Sequence, residues 1–309
     1  MSDRPQEKLR RWAFAAVPAF ALFELGLHVW QTHSAATDDD WAAAKAEVVK
    51  RAKPDDLVAF APRWVDPIGR EKLGKDLATV DREAYADVSR FPRAIEVSIR
   101  GKHLEDLEGW AGSDTAHFGA VTVTTYQNPT PIKLLDDLVN HVGRPDMHVY
   151  DVDGAAEHAC TFAETAPQTG SLGFGPAVPG ARYSCTSGSF VGASVLPDLD
   201  YRARRCLYAP PSAHGTLRIR FDAMSFGRAL HGHHAISVEA ERNGTGVPVT
   251  LAFRSGAINL GRVVHRDGEG WKPFELDTSE LAGKTAELVV DISSPNGDRR
   301  QYCFEADTR

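Results

Sequence analysis

Several catalytic signatures are missing from this 309-residue chain. No Gly-x-Ser-x-Gly elbow nominates a serine nucleophile. The glycine runs Gly170–Gly175 and Gly188–Gly192 have no helix after them, so they fail as phosphate loops. None of the four cysteines forms a Cys-x-x-Cys pair, which argues against a zinc site or a thioredoxin-like redox motif. Positive charge is not in excess either. Thirty-five Lys and Arg against 42 Asp and Glu leave a net charge of −7, which argues against nucleic acid as a partner. No internal repeat of solenoid or propeller period is present. The sequence points to no catalytic residue, no metal and no cofactor.

What it does contain begins at the N-terminus. Arg4, Lys8, Arg10 and Arg11 precede an apolar stretch from Trp12 to Trp30, and Asp38-Asp39-Asp40 follow. Nineteen such residues are long enough for a membrane-spanning helix, which needs roughly 17–25. The positive-inside bias makes residues 1–11 a cytoplasmic basic tail, 12–30 a transmembrane signal anchor, and the rest extracytoplasmic, periplasmic or extracellular. Glu24 and His28 are costly at bilayer depth, but both fall toward the outer end. Cleavage after Ser34-Ala35-Ala36 is the alternative, and an uncleaved anchor is preferred because that site lies far from the apolar run.

An even number of cysteines in an exported chain indicates disulfides. Cys160, Cys185, Cys206 and Cys303 allow three pairings, and the sequence does not choose among them. The preferred pairing is Cys160–Cys185 around a local loop, with Cys206–Cys303 joining the first and last strands of a C-terminal domain.

Beyond the anchor, the texture changes near residue 155. Residues 38–154 alternate helical and strand patterns. Trp41, Ala44, Val48 and Val49 recur at helical spacing, Leu57–Ala61 is an unbroken apolar run, and Ala94–Ile99 alternates. Helices are expected over Arg82–Phe91 and His103–Trp110, and a strand over Phe118–Thr125. This order predicts βαβ units and a small, mainly parallel, Rossmann-like sheet. Residues 155–309 carry short alternating strands, including Thr216–Phe221, Val247–Phe253, Lys272–Leu276, Ala286–Asp291 and Gln301–Phe304, between Gly- and Pro-rich loops. That pattern predicts an all-β jelly-roll sandwich.

Two segments resemble known families. Asp40-Trp41, Lys53-Pro54-Asp55 and Leu57 to Trp64, then Asp66-Pro67-Ile68-Gly69-Arg70, resemble the soluble tail of polytopic glycosyltransferases of the dolichyl-phosphate-mannose type. Those enzymes place catalytic acids between many membrane helices, so the resemblance implies an accessory or degenerate relative rather than a transferase. Gly270-Trp271 to Ser279, followed by Leu281-Ala282-Gly283-Lys284, resembles galactose-binding-like jelly rolls, the fold of many carbohydrate-binding modules.

Two candidate ligand sites follow. Open α/β sheets bind at strand ends, which nominates Arg63, Trp64, Asp66 and Arg70, with Asp81 and Glu96 nearby. Arg228, His231, His233 and Trp271 form the second set. Sugar sites combine polar groups with an apolar stacking surface, which Trp271 could supply, although a Trp at the opening of a sandwich strand is more often core. Three histidines at 231, 233 and 234, in the loop expected between two strands, suit a metal, but a strand expected to begin at once over Ala235–Glu239 would make His233 and His234 diverge. The Asp151-x-Asp153-Gly154 motif reads as a turn, and Asn243-Gly-Thr245 is a formal glycosylation acceptor. The expected function is non-catalytic binding or scaffolding in the cell envelope. The expected partners are a glycan or envelope polysaccharide, the membrane, and a polytopic glycosyltransferase. The competing expectation is an accessory subunit or degenerate relative of such an enzyme.

Overall fold

The computed structural model describes residues 4–33, 35–74, 76–79, 82, 84–166, 178–212, 215–242, 246–297 and 300–309. Asp81, Gly170–Gly175 and Asn243–Thr245 lie outside them. The chain divides into two compact units: residues 1–77 with 93–127, and 78–92 with 128–309.

In the first unit, helix α1 (Arg4–His33) carries Phe14, Val17, Phe20, Phe23 and Leu25 on its surface. Among the described residues no helix is long and apolar enough to cross a membrane. The expected span over 12–30 is therefore unsupported. Glu24 and His28 cut its uninterrupted apolar run to Ala13–Phe23, well short of the roughly 20 residues a bilayer needs.

Helix α2 (Asp38–Arg51) starts at a reciprocal capping box. The Thr37 hydroxyl accepts from the Asp40 amide and the Asp40 carboxylate accepts from the Thr37 amide. Trp41, Ala44 and Val48 form its buried stripe against the sheet, while Val49 is exposed. The sheet comprises β1 (Leu57–Ala61), β2 (Arg93–Ile99), β3 (Ala111–Phe118) and β4 (Val121–Gln127), in the order β1-β2-β4-β3. Helix α3 (Asp66–Leu73) follows β1. Every residue of β1 is buried, as its unbroken apolar run predicts.

The expected Rossmann-like sheet needs correction. Only β1 and β2 run parallel; β2–β4 and β3–β4 are antiparallel. Of the helix expected at 82–91, Arg82 is helical, Glu83 lies outside the described residues and Val88–Arg90 is a 3-10 turn; the helix expected at 103–110 is a single 3-10 turn, Glu105–Leu107. Pro92 holds the residue before it extended, which stops the first. Of the strand expected over 118–125, Val121–Thr125 lies on β4 as expected, whereas Phe118 ends β3 and Gly119, at φ +55°, turns the chain between the two.

The second unit is a β-sandwich. Its strands are β5 (Asp136–Asp137), β6 (Met147–Asp153), β7 (Ala156–Ala159), β8 (Thr161–Ala163), β9 (Arg182–Ser184), β10 (Phe190–Pro197), β11 (Ala203–Tyr208), β12 (Thr216–Ser225), β13 (Ala229–Ile236), β14 (Val249–Ser255), β15 (Ile258–His265), β16 (Lys272–Asp277), β17 (Thr285–Ser293) and β18 (Tyr302–Thr308). One sheet runs β16-β13-β18-β11-β10-β9-β8, with β5 paired to β18. The other runs β15-β14-β17-β12-β6-β7. Leu217, Phe221, Phe253 and Val290 from the second sheet share one core with Leu207, Leu230, Tyr302 and Phe304 from the first. Because β6 pairs with β12, the chain passes into the sandwich at Gln127/Asn128 rather than near residue 154. The disulfides are Cys160–Cys185 and Cys206–Cys303, the preferred pairing.

Candidate functional site

The two residue sets differ most in access. In the sandwich, His231, Gly232, His233 and His234 lie on β13, not in a loop, so they alternate. His234 points into the core, where its Nδ1 meets the Tyr302 hydroxyl at 2.8 Å. Burial and the neighbouring His265 push its pKa down to about 3. His265, fully buried, bonds Glu241 at 2.7 Å through Nε2. This is a structural polar network inside the sandwich.

His231 and His233 share the opposite face, with ring centroids 5.2 Å apart. His233 Nδ1 lies 2.7 Å from Glu305 on β18. Burial holds the Glu305 pKa up, although His233 works against that. Burial, with Arg309 and His233, holds His231 down. Asp307 is clasped by Arg309, which also reaches Asp87 at 2.7 Å. Tyr85 lies beneath the guanidinium groups of Arg90 and Arg205. Arg228 is exposed before β13, where its carbonyl accepts from Thr278.

Trp271 is not a free stacking surface. His233 lies parallel to it at 5.8 Å and Arg204 stands over its ring. It packs with Leu196, Tyr208 and the Cys206–Cys303 bridge. The adjoining depression holds about 10 Å³, roughly the space of one water, and is lined by Leu196, Pro197, Asp198, Arg204, Ser237 and Trp271. Ligand clefts are far larger, about 300–1,000 Å³. Asp198 and Arg204 pair with each other at 2.8 Å. Among the described residues no group of three or more His, Cys, Asp or Glu could hold a metal ion.

The first unit offers an open surface. The chain leaves β1 through Pro62 into a 3-10 turn, Arg63–Val65, and then α3. Gly69 permits that path, since any Cβ there would collide with the Phe60 ring. Val65 is buried as the turn's anchor, which leaves Trp64 pointing outward and 58% exposed. Ile68, one helical turn on, is 44% exposed. Arg63 pairs with Asp106 from the loop after β2. Arg70 pairs with Asp66, four residues before it on α3.

The loop after β2 is fastened from below. Glu96, buried on β2, accepts from the Leu104 amide at 2.8 Å and bonds His103 Nδ1 at 2.8 Å. Burial raises the Glu96 pKa, and these two partners oppose that rise. Arg93 ties the start of β2 to Asp56. So held, the loop presents Arg100, whose guanidinium carbon stands 5.9 Å from the Trp64 ring centroid.

The structure thus brings Arg63 and Trp64 to one surface and folds Asp66 and Arg70 into an ion pair beside it. It leaves His231, His233 and Trp271 only partly exposed and engaged with one another, Glu305 and Arg204, while Arg228 is exposed before β13. Arg100 and Asp106 were not found from the sequence. The signal for Arg100 was present, because Arg100-Gly101 directly follows an alternating strand pattern and reads as a two-residue turn.

No family model and no curated protein matches this chain. The glycosyltransferase resemblance of residues 40–70 therefore has no support. Among solved structures the chain is similar to the second family-51 carbohydrate-binding module (CBM51-2) and INT domains of Clostridium perfringens ZmpB, in complex with GlcNAc. The TM-score is 0.29 at 10% identity, over 52% of this chain and 37% of that one. A structure of the M60 catalytic domain of ZmpB with both CBM51 domains gives 0.29 at 12%, over 61% and 21%. The tailspike protein 4 of bacteriophage CBA120 gives 0.24 at 12%, over 53% and 18%. The chain thus spans well under half of each of these proteins. Such scores carry no functional argument, and the reading of the site rests on its own geometry.

Proposed function

We propose that this is an extracytoplasmic carbohydrate-binding protein whose ligand docks on Trp64. The observation that carries the reading is the exposed indole of Trp64, rimmed by polar groups. An indole left in water forgoes roughly 1.5–3 kcal/mol of burial free energy that a large apolar side chain gains in a core. It offers a flat apolar face with its N–H at the rim, which suits the axial C–H face of a pyranose. The Arg63–Asp106 pair and Arg100 supply hydrogen-bonding groups around it, the usual composition of a sugar site. The two disulfides support an oxidising compartment outside the cytoplasm.

The test is a glycan array probed with the full chain. Binding to at least one glycan is expected, with Trp64→Ala weakening it at least tenfold. Trp271→Ala should leave it within twofold. No bound glycan, or binding indifferent to Trp64→Ala, sinks the proposal.

A further inference from the structure

Resting on the reading of Trp64 as a sugar platform, we infer that its ligand is an acidic sugar, a uronate whose carboxylate pairs with Arg100. The argument begins with the backbone. Ile99 accepts from the Lys102 amide at 3.1 Å, which closes a two-residue turn. Its central residues Arg100 and Gly101 have φ +57° and +62°, the signature of a type I′ turn. Gly101 takes this conformation freely. Arg100 does not, because a Cβ in the left-handed region crowds the carbonyl. Gly, Asn or Asp is the ordinary occupant of that position. A long cationic side chain is held there against local preference, and such outliers cluster at ligand clamps.

The second observation concerns what surrounds the guanidinium. Arg63 is matched by Asp106 and Arg70 by Asp66, so both cations already face a carboxylate. Arg100 makes no ion pair with a described residue, and its guanidinium faces the Trp64 ring. At 5.9 Å from the centroid it stands at the limit of cation–π range, and much of the indole stays open. Lys102, at the last position of the same turn, is also exposed. A stacked pyranose carrying a carboxylate at its rim would place that group beside a planar donor fork suited to bidentate pairing. A neutral hexose would leave the guanidinium unmatched.

The experiment is calorimetric titration of the full chain with an oligogalacturonate and with the same oligomer after reduction of its carboxyls to alcohols. The acidic form should bind roughly tenfold or more tightly, in line with a charged hydrogen bond. Its advantage should shrink as salt is raised. Arg100→Gln should remove the preference and keep binding of the reduced form. Arg100→Gly should do the same while melting no lower than the parent, which separates loss of the cation from loss of the fold. Equal affinity for the two oligomers with Trp64-dependent binding overturns the acidic-sugar inference and leaves the platform standing. Failure of both oligomers to bind, with array hits confined to neutral glycans, also overturns it. Failure of the whole array removes the platform as well.

Discussion

At the scale of single residues, the molecule separates groups that look alike in sequence by what each one faces. His141 is buried between Asp136 at 2.7 Å and Asp146 at 3.0 Å. Burial alone would lower its pKa, but the hydrogen bond and charge of Asp136, with the charge of Asp146, outweigh that and raise it. His234, equally enclosed, meets a phenol and another imidazole and is pushed down instead. The consequence for His141 has a definite sign. A group whose folded pKa lies above its unfolded value contributes stability that is fully present below the unfolded value, about 6.5. That contribution is lost as pH rises through the folded pKa. Denaturant midpoints should therefore fall between pH 6 and pH 9, and His141→Gln should flatten that slope while lowering stability at pH 6. An unchanged slope in the variant would show that the imidazolium is not the source. Asp136 has the opposite sign. Burial alone would raise its pKa, but the His141 contacts and two backbone amides lower it, so its share is present above its unfolded pKa and fades at acid pH.

At the scale of elements, the sequence was most informative where one residue pattern maps onto one face. Leu57–Ala61 reads as a doubly buried strand and is one. Trp41, Ala44 and Val48 read as a helix stripe and form it. The histidines expected in a loop lie instead on β13, whose alternation places His231 and His233 on one face and His234 on the other. Patterns failed where a turn falls inside an apolar run. The β-branched stretch 118–125 spans the β3–β4 corner, and only the positive φ of Gly119 reveals it. The helix expected at 103–110 is cut to the single turn Glu105–Leu107, because Glu108 is extended and Gly109 takes φ +82°. For α2, the cap is Thr37, which shares a capping box with Asp40 three residues later. Thr37→Ala should cost about 1 kcal/mol, measured as a shift in the denaturation midpoint. A change of under about 0.2 kcal/mol would mean that the Asp40 side of the box suffices.

At the scale of the whole molecule, the sandwich core is closed by pairings far apart along the chain. Cys206–Cys303 spans 97 residues, while Cys160–Cys185 spans 25. On the chain-entropy model the longer loop restricts the unfolded chain more, about 4.7 kcal/mol against roughly 3.5. Replacing Cys206 and Cys303 together by Ala should lower the unfolding free energy by more than replacing Cys160 and Cys185. Equal losses, read from urea curves with matched slopes, would contradict that ordering. The same long-range closure governs the candidate sites. Glu305 meets His233 only because β13 and β18 pair in register, 72 residues apart, and this pairing engages an imidazole that would otherwise face a ligand.

The sequence by itself determined the buried strand β1, the stripe of α2, the alternation that makes residues 155–309 part of a sandwich, and that the four cysteines pair. Each of these is a local or periodic property, written into side-chain spacing and read without knowing where the chain returns. Tertiary structure decided that the first sheet is mostly antiparallel and that β6 belongs to the sandwich. It also decided which cations are already answered. Arg63 finds Asp106 across 43 positions and Trp271 finds His233 across 38, whereas Arg100 is turned outward toward Trp64. Partner choice of that kind follows from strand register and loop path, and no spacing rule along the chain encodes it.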